Sequence, residues 1–598
     1  MNQNGKPDNL VEMIEASVAA FPDHPLFGTK NPKGEYEWMT YREVGERIDH
    51  LRGGLAQAGV GRGDWVGIIA DNRSEWAIAA FAAYGLGARF VPMYEKELPR
   101  IWQYIIQDSG IKVLLVAKPE IQDQVEGFRD ALPDLAGIYR IDGGGESSMA
   151  ELERIGRDHP VPSIHPLSED IAVLIYTSGT TGNPKGVILS HGNLTSNYLA
   201  GQQLFPNELT AESVSLSILP WAHSYGQTAE LYNFCSLGGA IGFVESVDTV
   251  AEDMAKVRPT FLIAVPRVFN KIYDGLWAKM EETGGLAKKL FVMGVEAGKK
   301  RRALAAEGKS DFLTNLKFGL ADKVVFKKIR ERFGGRLQGS LTASATMNVA
   351  IGYFFEDVGI PVYDAYGLTE TAPAVTMNCP AAHRPGSVGR PIPGVRVEID
   401  RNVVEETSED GEIVVYGPNV MQGYHNNPDA TRAVITADGG FRTGDRGRLD
   451  PDGYLFITGR LKEQYKLENG KYVFPAILEE EIKLSPWVEH AMIFGEGRPF
   501  NICVVVPDSV VLMRYAKSRG LTEDPGALME RSEVREMITE SITRMLRGKF
   551  GGYEVPKKFI FSLEPFSVDN GLLTQTMKLK RRKVVEKFQE EIETVFSN

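Results

Sequence analysis

The stretch Tyr176-Thr-Ser-Gly-Thr-Thr-Gly-Asn-Pro-Lys-Gly-Val187 decides the reading of this chain. An apolar, β-branched run at 171–175 precedes it and a second strand-like piece at 187–189 follows. A Gly/Ser/Thr loop therefore sits between two strands, with Lys185 at its far end. Glycine lets the backbone reach positive φ and approach a ligand closely, while amide N–H groups and hydroxyls donate to phosphate oxygens. This composition suits a loop that wraps polyphosphate. It also suits a plain surface hairpin, because turns favour the same residues. A Walker-type loop needs Gly-Lys followed by Ser or Thr at a helix start, whereas Lys185 runs into Gly186 and a strand.

At 598 residues the chain is too long for one simple core, so several domains are expected. A net charge of −12 gives no support to nucleic acid as a partner. Cys235, Cys379 and Cys503 are far apart and in no metal-ligand spacing, which points to a reducing compartment. The first ten residues are polar, and no apolar run reaches transmembrane length. The expected location is the cytoplasm, with peripheral contact at the inner face of a membrane left open because a lipid substrate would come from there.

Helix-like segments at 11–20, 41–58 and 75–85 alternate with strand-like segments at 66–70 and 113–116, and further strands are expected at 213–219, 240–244 and 260–264. Such alternation predicts α/β layers with largely parallel sheets. Residues 286–333 read as a basic, amphipathic helical excursion, for which packing on the core is favoured over a membrane-surface role. Short strands with Gly, Pro and Asp turns at 386–454 suggest a small β-barrel or strongly bent sheet. A new α/β unit follows, with strands at 490–494, 502–506 and 558–562 and a domain boundary near Arg460.

Four further groups carry chemistry. In Asp364-Ala-Tyr-Gly-Leu-Thr-Glu370, expected after a strand starting near Pro361, Tyr366 offers a flat face for a base and Thr369 a hydroxyl for phosphate. Glu370 is a hard oxygen ligand of the kind Mg²⁺ prefers. A turn-borne Asp445 can accept from both hydroxyls of a ribose, and Arg460 offers a guanidinium fork to ribose or phosphate. Lys578 lies among several basic residues in 571–581. Each has a plainer reading, as a turn, a helix cap or a solvated lysine.

Taken together and in order, these strings resemble the acyl-adenylate-forming (AMP-binding) synthetases. The helical excursion before Gly334-Gly335-Arg336 and the ending Leu573-Thr-Gln-Thr-Met-Lys-Leu-Lys-Arg581 look most like the long-chain fatty acyl-CoA synthetase branch. The resemblance implies a large N-terminal domain, 1–460, of two α/β sheet layers plus a small barrel, and a mobile α+β C-terminal domain, 461–598. It implies ATP-dependent conversion of a fatty acid to acyl-AMP and then acyl-CoA, with ATP and coenzyme A as co-substrates and Mg²⁺ as cofactor. ATP or AMP would be held by Thr177, Ser178, Gly179, Thr180, Thr181, Gly182, Lys185, Ser344, Ala345, Asp364, Tyr366, Gly367, Thr369, Asp445 and Arg460. Lys578, Lys185, Thr369 and Glu370 would be catalytic, Glu370 would bind the metal, and Lys462 would be the hinge. Gly470 would line the thiol tunnel, and His223 would be an acyl-pocket residue or a structural histidine.

The chain departs from the family at Thr342-Ala-Ser-Ala-Thr346, where Ser-Gly-Gly-Ala-Pro is usual, so the pocket is expected to be reshaped. An acyl-AMP ligase, a medium-chain or aryl-CoA ligase, and a non-catalytic nucleotide-binding protein of the same fold are the alternatives.

Overall fold

The computed structural model describes residues 5–177, 183–246, 249–345, 347–403, 409–522, 524–574 and 578–597. It divides into two compact units. The first comprises Met1–Glu398, Val414–Arg442 and Pro451–Leu455; the second comprises Ile399–Ile413, Thr443–Asp450 and Phe456–Asn598.

The first unit is built on a seven-stranded sheet. Its order is Gly423–Tyr424, Lys185–Ser190, Ile171–Thr177, Arg89–Met93, Trp65–Ile69, Ile111–Val116 and Gly137–Arg140. The strands from Ile171–Thr177 onward run parallel, while Lys185–Ser190 and Gly423–Tyr424 add on antiparallel. Trp65–Ile69 is buried along its whole length, as a parallel strand covered by helices on both faces must be. A four-stranded sheet carries Val214–Ser217 at one end, and a five-stranded sheet carries Phe261–Ala264 at one end. Thr260 N donates to Val214 O (2.8 Å) and its Oγ1 accepts from Val214 N (2.9 Å), which joins these two sheets into a second layer.

Helices cover both layers, and local signals start them. Helix Tyr41–Gln57 begins with a capping box between Thr40 and Glu43. Helix His191–Leu204 begins with the equivalent pair Ser190 and Asn193. The expected helices and strands of 11–116 and 213–264 are present, with no end moved by more than two residues.

Of the two alternatives for 386–454, a small barrel or a bent sheet, the described residues form a sheet: Arg396–Asp400, Gly411–Tyr416, Phe441–Leu449 and Leu455–Arg460 make four strands. Short strands broken by Gly-Asp turns can bend without closing, and sequence does not separate the two outcomes. One expectation changes. The Asp364 motif does not follow a strand but completes one, since Val362–Gly367 includes Asp364, Tyr366 and Gly367.

The second unit contains a three-stranded sheet. Val488–Phe494 runs antiparallel to Ile502–Pro507, which pairs parallel with Lys558–Phe561. Leu478, Ile482, Ile538 and Ile542 are fully buried in a core on one side of it. Cys235, Cys379 and Cys503 are all buried free thiols. Among the described residues no helix is long and apolar enough to cross a membrane.

Candidate active site

In the first unit, one tyrosine, Tyr424, touches two predicted residues, Lys185 on the hairpin around the loop and Glu370. Thr177 and Lys185 pair across the two strands, and Thr177 Oγ1 donates to Lys185 O at 3.4 Å. Ser178, Gly179, Thr180, Thr181 and Gly182 lie outside the described residues. Lys185 Nζ stands 4.8 Å from the ring centroid of Tyr424, within cation–π range. The Tyr424 hydroxyl donates to Glu370 Oε1 at 2.8 Å. Burial and the neighbouring Glu370 carboxylate push the Tyr424 phenol well above its usual range, so it stays protonated and can donate to that carboxylate. Lys185, Tyr424 and Glu370 thus make a chain of cation, ring and carboxylate. Sequence reasoning misses Tyr424, because its strand of two residues gives no periodicity; only its pairing with Val187 places it there.

Buried asparagines hold Glu370 in place. Asn193 Nδ2 donates to Pro418 O (2.7 Å) and Val420 O (2.9 Å), Asn419 Nδ2 to Thr371 O (3.1 Å) and Ala374 O (2.8 Å), and Asn197 Nδ2 to Ala374 O (2.9 Å). Met421 N donates to Glu370 O at 2.9 Å. These bonds satisfy backbone groups that a buried turn would otherwise leave unpaired. Thr369, also buried, accepts from Ser224 Oγ at 3.2 Å. One carboxylate, with a tyrosine fixing one of its oxygens, is a donor set that suits Mg²⁺ shared with phosphates, since that ion keeps most of its ligands from water and substrate.

Gly367 is required by packing, because a Cβ there would meet Pro373 O at 2.0 Å. Asp364 is buried, and burial raises its pKa from 3.8 to about 8. The unfolded chain loses that proton near pH 3.8 while the folded chain keeps it, so stability falls as pH rises from about 4 to about 8 and is level above. Asp364→Asn is expected to melt like the wild type near pH 4 and at a higher temperature above pH 8. The gap should reach several kcal/mol, because each tenfold difference in proton affinity between the folded and unfolded chain is worth about 1.4 kcal/mol. Thermal unfolding across pH checks this; a gap that does not widen with pH contradicts it.

Ser344 and Ala345 are exposed, and Ser344 has φ of +77°. The serine thus takes the left-handed conformation that glycine adopts at no steric cost. His223 Nδ1 accepts from Tyr225 N at 3.1 Å, so this histidine has a structural role in its turn. Behind the turn, the fully buried Glu230 accepts from Ser215 Oγ (2.6 Å), Ser217 Oγ (2.5 Å) and Trp221 Nε1 (2.9 Å). Glu230 lies in the π-helical segment Gly226–Tyr232, a wide turn of a kind frequent at functional sites. Burial raises its pKa, the three donors opposing.

The second unit holds the other predicted residues. Asp445 is buried and pairs with Arg460, whose Nε lies 2.9 Å from Oδ1. Thr443 Oγ1 accepts from Asp445 N at 3.1 Å, fixing the turn. Lys462 is exposed in the turn after Arg460. Gly470, at φ +80°, closes the hairpin Tyr465–Lys466/Tyr472–Val473, and open space surrounds the position of a Cβ. Lys578 is exposed on a hairpin where Thr574 N donates to Lys578 O (2.8 Å) and Lys578 N to Thr574 Oγ1 (3.0 Å). Three residues on, Arg581 forms a bidentate pair with buried Glu479, both contacts 2.7 Å, and donates to Ile493 O at 3.0 Å. Planar fork-to-fork geometry of this kind fixes orientation as well as charge. It ties the Lys578 hairpin to the central sheet.

The family model for AMP-binding enzymes matches residues 14–425, and the model for the AMP-binding enzyme C-terminal domain matches residues 462–598. The chain belongs to the AMP-binding enzyme family. This AMP-binding enzyme is 31% identical over 623 residues to the human long-chain-fatty-acid–CoA ligase 6, an alignment covering 98% of this chain and 86% of that one. It is 30% identical over 607 residues to the long-chain-fatty-acid–CoA ligase FadD15 of Mycobacterium bovis, covering 99% and 98%. Among solved structures, the adenylation domain of a carboxylate reductase from Mycobacterium chelonae aligns with TM-score 0.80 at 23% identity, over 100% of this chain and 92% of that one. That last likeness bears on the fold alone.

Proposed function

We propose that this AMP-binding enzyme is a fatty acid–CoA ligase acting in two half-reactions, with long-chain acids as its substrates. The observation that carries the reading is the Lys185–Tyr424–Glu370 chain in the first unit, together with the full-length similarity to long-chain-fatty-acid–CoA ligases. In the first half-reaction a fatty carboxylate attacks the α-phosphorus of ATP, giving acyl-AMP and pyrophosphate. Lys185 neutralises phosphate charge and Thr369 donates a hydrogen bond; Glu370 would hold Mg²⁺, which would supply charge stabilisation to the phosphates. Tyr366 stacks on adenine, with Asp364, Gly367, Ser344 and Ala345 around it, and Thr177 and the 178–182 loop wrap the phosphates. Asp445 and Arg460 take the ribose. Lys578 meets the charge that develops between carboxylate and phosphate. Chemistry of this kind needs positioning and charge neutralisation rather than a covalent nucleophile.

In the second half-reaction the coenzyme A thiolate attacks the acyl carbon and AMP leaves. A C-terminal domain from residue 461 onward turns at Lys462 and brings the Gly470 loop to the pantetheine arm, which keeps the mixed anhydride from water. His223 and the turn that Glu230 supports shape acyl entry. The protein works in the cytoplasm.

Pyrophosphate release that depends on fatty acid, followed by AMP release that depends on coenzyme A, tests the reading. Pyrophosphate without thioester would replace it with an acyl-AMP ligase, and no release would leave a nucleotide-binding protein without catalysis. Tyr424→Phe keeps the ring beside Lys185 but removes the donor to Glu370. A hydrogen bond to a charged group contributes about 1.5–3 kcal/mol, so acyl-AMP formation should slow roughly ten- to a hundredfold. Pyrophosphate assays at varied Mg²⁺ check this; wild-type behaviour would show that the hydroxyl does not orient Glu370.

A further inference from the structure

Helix Phe312–Ala321 and the π-helical segment Asp322–Phe326 that extends it have two faces of different character. On the inner face Thr314, Ala321, Val325 and Phe326 are buried. A Cβ on Gly294 of helix Gly285–Ala306 would stand 2.6 Å from the Ala321 methyl, so the two helices are closely packed. Phe318 lies 5.9 Å from Phe326, and the Arg301 guanidinium sits 4.1 Å from the Phe318 ring. The inner face is therefore already occupied, and the packing expected from the sequence is satisfied there.

The outer face is not covered. Phe312 is 79% exposed, Leu313 62%, Leu316 60%, Leu320 50% and Val324 38%. At 3.6 residues per turn these positions fall within an arc of roughly 120°, one stripe along the helix. Twelve large apolar side chains are exposed among the described residues, and five of them are in this stripe. Scattered exposed leucines are ordinary; a contiguous row is not. Exposed Lys309, Lys317, Lys323, Lys327 and Lys328 accompany it. Residues 285–336 hold fourteen Lys and Arg against five Asp and Glu, in a chain whose net charge is −12.

We propose that this stripe docks on an anionic lipid surface, with the apolar side chains entering the headgroup–acyl boundary and the lysines at the phosphates. Lysine stems can lie along apolar surface while their ammonium groups reach the headgroup level. Local charge of the opposite sign to the chain overcomes repulsion of the remaining surface only next to a dense anionic plane. A second copy is disfavoured, because a two-fold contact would set this basic face against itself. A row one helix wide suits shallow insertion better than a protein interface, which needs a broader buried patch.

The test is flotation of the full chain with vesicles of phosphatidylcholine alone and of phosphatidylcholine with phosphatidylglycerol. Binding is expected only to the anionic vesicles, and high salt should weaken it. L316E/L320E and, separately, K317E/K323E/K327E should each lower the bound fraction's partition by about tenfold or more. Both variants alter exposed side chains, and their thermal unfolding should match the wild type. No binding to anionic vesicles, or equal binding by wild type and both variants, overturns the proposal. A wild-type dimer that L316E/L320E converts to monomer overturns it in favour of a self-association face. Flotation is read without turnover, so it stands or falls apart from the proposed reaction.

Discussion

Lys578→Ala should slow acyl-AMP formation by about 10²–10³-fold, the usual cost of removing one preorganised donor from a site of developing charge. It should leave thioester formation from supplied acyl-AMP close to wild type. The split follows from the proposed role, in which the ammonium is needed only while carboxylate and α-phosphate approach. The lysine is solvent-exposed at the end of a hairpin, so its removal leaves no cavity. The hairpin keeps its anchor, since the Arg581–Glu479 fork and the Thr574 backbone contacts do not involve the Lys578 side chain. Single-turnover assays of each half-reaction decide the matter. Equal loss in both would remove Lys578 from its assigned place.

Glu370→Gln is the second large effect. Glutamine keeps the shape and an oxygen that can accept from Tyr424, so the turn held by Asn197 and Asn419 should stay as it is. The negative charge that would hold Mg²⁺ is lost. A metal ion contributes several kcal/mol of charge stabilisation at phosphate oxygens, so acyl-AMP formation should fall by roughly a hundredfold or more. Higher Mg²⁺ should restore part of it. A variant with the wild-type Mg²⁺ dependence would show that the metal is held elsewhere.

Legibility in the sequence follows the length scale of each signal. The alternating buried strands and helices of 41–116 can be read because each segment repeats its apolar pattern over several turns or pleats. The loop at 176–187 stands out through its full string with the Pro-Lys-Gly ending, since its composition alone is shared by plain hairpins. Tyr424 does not, since its neighbours form a strand of two residues and its meaning comes from pairing with Val187, far away in sequence. The Asp364 motif is expected after its strand because Tyr-Gly-Leu-Thr reads as a turn. The strand continues to Gly367 because glycine there allows close approach of Pro373. Buried Glu230 and the asparagine clamps are invisible for a related reason. A polar residue in a helix carries no mark of burial until its partners, Ser215 and Ser217 on another strand, are brought to it. The helical excursion shows the same limit in reverse, its periodicity giving two faces but not which one the fold covers.

The central claim, that a fatty acid is joined to coenzyme A through acyl-AMP, is tested most directly by following AMP and thioester formation across carboxylic acids from acetate and benzoate to oleate, with Mg²⁺-ATP and coenzyme A. The account predicts a maximum with long-chain acids and one thioester formed for each AMP released. AMP released without thioester, or a maximum with benzoate or acetate, would contradict it.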